Sequence, residues 1–264
     1  MRVITAVAVF FWALCAASAP ALADPPSHAR RGRAAPEPPS RSVGWANHGR
    51  ITHGRRIVPS ASVRILPGRV LAWGTADLVG LLERTALRVK RQFDAPLTVG
   101  DLSAREGGAV GRHRSHQSGR DADVAFFART DPPHGRSHPV VLEDYVSFDR
   151  DGRSLDGAMR FDTARNWFVV QSLLADPRAH VERIFVSTVL RAVLLRHARE
   201  VHAPADIVER AERILVQPAR VSPHDNHFHV RIACPAADHG CRTGVWLPPP
   251  PPRHRRRARS ATAR

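Results

Sequence analysis

Apolar residues recur along this chain in two rhythms, and the changes of rhythm mark its elements. Behind Thr75, the residues Leu78, Val79, Leu82, Ala86 and Val89 return at helical spacing, which predicts a helix over about 76–91 with Thr75 as N-cap. Asp162 can cap a second helix carrying Trp167, Val170 and Leu174, ended by Asp176-Pro177. Val189–Arg199 and Pro204–Leu215 read as two more, the proline standing in a first turn that needs no donor from it. Alternation predicts strands at Leu97–Leu102 and Ala122–Phe127, with further strands at Arg183–Ser187 and Asn226–Ala233 and a hairpin turn at Phe148–Gly152. Helices and strands do not follow one another in a parallel-sheet rhythm, and the clearest strands have one polar face. The pattern therefore predicts a single α+β domain, a central antiparallel sheet with flanking helices.

The two ends lack this patterning. Arg2, the apolar run Val3–Ala17 and the step Ala21-Leu22-Ala23 predict a secretory signal peptide over 1–23. The run is shorter than the ~20 apolar residues a membrane span requires, so no integral membrane association is expected after cleavage. Leu14 before Cys15 does not fit a lipidation site. Residues 24–41 are rich in Pro, Ala, Ser and Arg and are expected to be a disordered linker, while 248–264 combine five prolines with an arginine cluster, a spacer with a basic tip. Such a tail can touch anionic wall or membrane polymers electrostatically, or simply be solvated. The domain itself is expected over 42–247.

Charge changes this picture little. The formal net charge of +16 falls to +9 when Arg2 and the six arginines after Pro252 are set aside, and only Lys90 accompanies 39 arginines. Export and the lack of interleaved basic and aromatic residues argue against nucleic acid. Cysteine says more: with the signal removed only Cys234 and Cys241 remain, and in an oxidising compartment they are expected to form a disulfide pinning a local hairpin.

Candidate chemistry gathers in two clusters, Ser115-His116-Gln-Ser-Gly-Arg-Asp121-Ala-Asp123 and His224-Asp-Asn-His227-Phe-His229-Val-Arg231-Ile. Side chains two apart on a strand share a face, so His227 and His229 oppose Phe228, Val230 and Ile232, and Asp121 and Asp123 oppose Ala122, Val124 and Phe126. Gly119 provides a turn that can return His116 to the start of its strand. Two imidazoles and a carboxylate at the strand ends would leave a fourth tetrahedral position for water, as in a catalytic zinc site. Either His227 or His229, or both, satisfies this geometry.

The quoted residues resemble the penicillin-insensitive murein endopeptidases, a family of metallopeptidases related to lysostaphin-type and D-alanyl-D-alanine peptidases. Its first-site pattern, Gly-His-x-Ser-His-Gln-x-Gly-x-Asp-x-Asp, is matched from His113 to Asp123, with Arg112 in place of the first glycine. His224-x-x-His227-x-His229-Val-Arg, then Cys234-Pro235 and Cys241, is similar to the second site, and weaker similarity runs from Ala46-Asn47-His48-Gly49 through the Asn166-Trp167 helix. The extra cysteine pairs common in the family are missing.

The resemblance implies one zinc ion per chain on His116, Asp123 and His229, with His113, Asp121, His224 and His227 lining the site. His227 is the expected general base or transition-state stabiliser and His224 the competing choice, since no Glu-x-x-His base accompanies the ligands and an unligated imidazole suits proton transfer near neutrality. The implied substrate is the D-alanyl to meso-diaminopimelyl cross-link of peptidoglycan in the periplasm. Arg112, Arg114, Arg120 and Arg231 are candidates for receiving stem-peptide carboxylates. No serine nucleophile is expected, so β-lactams would find nothing to acylate. Alternatives are a zinc D,D-carboxypeptidase, a peptidase of another cross-link, or a non-catalytic zinc-containing wall-binding protein.

Overall fold

In the computed structural model, which describes residues 38–132, 134–219 and 221–247, the capping residues start the helices as their positions predict. The expected signal peptide, the linker before residue 38 and the tail from 248 lie outside the described residues. Thr75 accepts a hydrogen bond from the Leu78 amide at the head of a helix over Ala76–Phe93, and Asp162 accepts from Arg165 at the head of another over Thr163–Leu174. A side-chain acceptor there satisfies an amide that the helix itself leaves unbonded.

In chain order the elements are β1 (Arg41–Trp45), β2 (His48–Thr52), β3 (Arg55–Arg56), β4 (Val63–Ile65), β5 (Trp73–Gly74), α1 (Ala76–Phe93), β6 (Leu97–Val99), β7 (Asp121–Ala125) and β8 (Ala128–Thr130). They continue with β9 (Pro139–Val140), β10 (Met159–Phe161), α2 (Thr163–Leu174), β11 (Val181–Phe185), α3 (Thr188–Glu200), α4 (Ala205–Ile214), β12 (Leu215–Val216) and β13 (His227–Ile232). No helix among the described residues is long and apolar enough to cross a membrane.

The central sheet runs β12-β11-β13-β7-β6-β4. Its inner pairs are antiparallel, but β4 lies parallel to β6 and β12 parallel to β11, so the sheet is mixed where an antiparallel one was expected. The reason lies in the connections. Parallel neighbours need a long crossover, usually helical, and α1 bridges β4 to β6 while α3 and α4 bridge β11 to β12. The helices were visible in the sequence; their service as crossovers was not. Two expected strands also end early, since the chain leaves the sheet at Gly100 and after Ala125.

One face of the sheet makes the core. Ala122 and Val124 of β7 and Phe228 and Val230 of β13 are fully buried and join Leu78, Val170, Leu194 and Ala211 from the four helices. Phe126 meets Phe228 and Phe161 edge-on at centroid distances of 4.7 and 5.0 Å. Apolar burial on that face leaves the opposite face of β7 and β13 to the polar residues.

The Cys234–Cys241 disulfide forms, with Cα atoms 5.7 Å apart. It closes an irregular loop rather than the expected hairpin, and that loop is fastened onto β1: Gly44 donates to Gly240, Arg242 to Gly44, and Ser42 to the Asp238 carboxylate. β1 begins at Arg41, one residue inside the expected linker.

Candidate metal centre

β13 pairs with β7 so that His229 stands opposite Asp123 and Arg231 opposite Asp121. Alternation then places His227, His229, Arg231, Asp121 and Asp123 on one face. The remaining groups arrive on loops. The turn before β7 bends at Gly119, whose φ of +72° and nearness to Ile51, 2.7 Å from where a Cβ would stand, admit only glycine without strain. This returns His116 to β7, as the sequence suggested. His116 itself has φ of +65°, an unfavourable backbone state for a residue with a side chain, and its Nδ1 donates to the Leu102 carbonyl at 2.7 Å. That bond turns Nε2 toward Asp123.

Asp123 is the focus of the site. His116 Nε2 lies 3.3 Å from Oδ1, His227 Nε2 3.5 Å and His229 Nδ1 3.6 Å from the same atom, and His113 Nδ1 3.8 Å from Oδ2. Both Asp123 oxygens and His116 Nε2 are buried without a hydrogen-bond partner among the described residues. Buried polar atoms left without partners are costly, and a carboxylate with several imidazole nitrogens aimed at one small volume is a donor set suited to zinc. His113, His116 and Asp123 can each offer one ligand atom, all within 4.8 Å of one another. His113, expected only to line the site, thus groups with His116 and Asp123 as a possible ligand, whereas His229 falls outside that group.

Behind two of these imidazoles stand matching carboxylates. His229 Nε2 and Arg231 Nε both donate to Asp121 Oδ1 at 2.7 Å, which leaves His229 Nδ1 facing the centre. His113 Nε2 donates to Asp101 Oδ2 at 3.1 Å, with Arg69 3.7 Å from the same atom. A carboxylate behind a histidine fixes its tautomer and raises its basicity toward a metal. His227 is held differently: its Nδ1 donates to Asn226 at 2.6 Å and its ring stacks on Tyr145 at 4.6 Å. His224 lies 5.1 and 5.5 Å from the rings of His227 and His229.

Electrostatics separates these groups. Burial opposes charge on Asp121 and Asp123, but Arg231 and the neighbouring imidazoles outweigh it and hold both carboxyls below the ordinary range, ionised. Burial likewise works against the His116 cation, yet the Asp123 carboxylate lifts its pKa to about 9 in the metal-free protein. His224 moves the other way. Burial, helped by the imidazoles around it, lowers its pKa to about 3, so it stays neutral.

Two expected substrate arginines are bonded within the fold. Arg120 is fully buried and spends its guanidinium on the Ile232 and Arg242 carbonyls, and Arg231 is bound to Asp121. Burying so large a cation is favourable only when it is internally bonded. Arg112 and Arg114 remain exposed on the His113 loop. Sequence reasoning missed Asp101, Arg69 and Tyr145. Asp101 sits just past the end of β6, a place where polar residues enter a site, and Tyr145 is the chain's one tyrosine.

The chain also resembles known proteins. A family model described as penicillin-insensitive murein endopeptidase matches residues 42–252. A Haemophilus influenzae protein named penicillin-insensitive murein endopeptidase is 27% identical over 186 residues, which cover 67% of this chain and 57% of that protein. The chain therefore spans little more than half the length of that relative.

Proposed function

Since the chain belongs to the penicillin-insensitive murein endopeptidase family, we propose that it is a zinc-dependent hydrolase of peptidoglycan cross-links. The reading places it in the periplasm, with the D-alanyl to meso-diaminopimelyl bond as substrate. The observation that carries the metal is the buried, ionised Asp123, neither oxygen hydrogen-bonded among the described residues, with imidazole nitrogens around it. His116 through Nε2, Asp123, and His229 through Nδ1 would hold the ion. Zinc bound there would lower the pKa of a water ligand to about 7 and polarise a carbonyl oxygen.

The chain's own residues supply the rest. His227, fixed by Asn226 on one nitrogen and Tyr145 on one face, directs Nε2 toward the centre, where it can take a proton from the attacking water and return it to the leaving amine. His224 stays neutral and serves as a hydrogen-bonding wall rather than a charge. Ser115 is no nucleophile in this scheme: its Oγ is 3.5 Å from His229 Nε2, a nitrogen already given to Asp121 at 2.7 Å. With no serine activated, β-lactams have nothing to acylate.

Digestion of purified dimeric muropeptides, with metal content measured before and after chelation, tests the proposal. Dimers should become monomers only with zinc present. Release of terminal D-alanine from intact dimers would instead establish a carboxypeptidase, and activity indifferent to chelation would remove the metal from the reaction. His227→Ala that keeps both zinc and full turnover would discharge His227 as the base.

A further inference from the structure

Pairing of β8 and β10 with the turn before them sets three arginines in a row. Arg160 faces Arg129 across β10 and β8, and Arg153 faces Arg160 from the other side. Like charges directly opposite on neighbouring strands repel, and the local carboxylates are too few. Asp131 serves both Arg153 and Arg160, at 2.7 and 2.9 Å. Arg129 bonds the hydroxyl and carbonyl of Ser137, which are neutral partners.

Two further arginines join from elsewhere in the fold. Arg150, from the turn, and Arg196, from α3, line with Arg129 and Arg160 a cavity of about 600 Å³. Glu200, the carboxylate paired with Arg196, lies 3.8 Å away on the exposed helix surface. Of the two carboxylates in the cavity wall, Asp162 is engaged in capping α2 and Asp151 is exposed. None of these residues belongs to the metal centre.

We propose that this cavity binds a ligand bearing several phosphate groups, received by Arg129, Arg150, Arg160 and Arg196. One guanidinium fork satisfies a planar carboxylate. Four forks brought from separate segments suit an anion with oxygens in several directions, and the cavity has room for more than one such group. The ligand would balance the repulsion that the row of arginines otherwise leaves standing.

Titration of inorganic tripolyphosphate into the full chain at fixed ionic strength tests this, because comparing variants at one salt concentration separates a defined site from diffuse attraction to a basic protein. The Arg129→Ala/Arg150→Ala double variant should bind at least about tenfold more weakly. A control, Arg178→Ala/Arg183→Ala, removes the same charge from exposed positions outside the cavity and should change affinity less than about twofold. Arg129→Lys/Arg150→Lys keeps the charge, guards against misfolding, and should fall between wild type and the alanine variant. Equal losses in cavity and control variants, or none in either, would overturn the proposal. Phosphatidylglycerol vesicles distinguish the source: vesicle binding that depends on Arg129 and Arg150 identifies a lipid surface, and tripolyphosphate binding alone identifies a soluble or polymer-borne phosphate.

Discussion

His113 and His229 face different oxygens of Asp123, each with an aspartate behind it and an arginine beside the aspartate, yet the two arms are built unequally. His229 rides on β13 in the middle of the sheet, and its side chain is 9% exposed. The Asp121 carboxylate behind it is shared by two bonds of 2.7 Å. His113 comes from a loop, is 18% exposed, and meets Asp101 at 3.1 Å while Arg69 stays 3.7 Å away. Strand backbone fixes a ligand more tightly than loop backbone does, so under the proposed function the strand arm would be the better metal holder and the loop arm the better place for adjustment to a substrate.

The most damaging test removes what both arms share. Asp123→Ala should abolish zinc retention and lower turnover on the order of a thousandfold, equivalent to about 4 kcal/mol, as read by metal analysis and muropeptide digestion. Retained zinc would show that the imidazoles suffice and that the comparison has the wrong centre.

Substituting each arm separately comes next. His229→Ala should weaken zinc by about a hundredfold or more, whereas His113→Ala, on the looser arm, should cost about tenfold or less. A chelator competition gives both numbers. The reverse order would transfer the ligand role to His113, which already groups with His116 and Asp123.

A smaller effect is expected on the loop side alone. A Cβ at Gly100 would stand 1.7 Å from the Tyr145 hydroxyl, so Gly100→Ala must push Tyr145 off the His227 ring. Zinc content should stay, while kcat falls about tenfold, short of the ~10² that an ångström of misplacement can cost. Unchanged kcat would mean that Asn226 alone orients His227.

The finest test is protonic. In the metal-free protein His116 has its pKa raised from 6.5 to about 9. Its contribution to stability is therefore complete below pH 6.5 and lost as the pH rises through 9. Zinc must displace that proton, so its affinity should climb over the same window, with about one proton released per ion bound at pH 7. Calorimetry in buffers of different ionisation enthalpy would count it.

These arms also show what a sequence discloses. Alternation in Asp121-Ala-Asp123 and His227-Phe-His229 was enough to place four polar groups on one face, and Gly119 announced the turn that brings in His116. Period-two geometry is local, and so it is legible. Asp101 was not, because the pairing of β6 with β7 is what brings it near Asp123, and neither was Tyr145, which reaches His227 from the loop after β9. Arg120 shows the opposite failure: beside the motif it looked available, but the loop after β13 buries it against backbone carbonyls. The parallel edges of the sheet stayed hidden for the same reason, since a helix pattern does not say which strands it connects.

β13 is the last strand among the described residues, yet it sits between β11 and β7 at the middle of the central sheet. A chain cut off before His224 would hold two unjoined half-sheets, each with a bare edge and an open ladder of amides and carbonyls. It would also lack His224, His227 and His229. The candidate site is thus a record of completion: a chain that stops before β13 cannot bring its two clusters together.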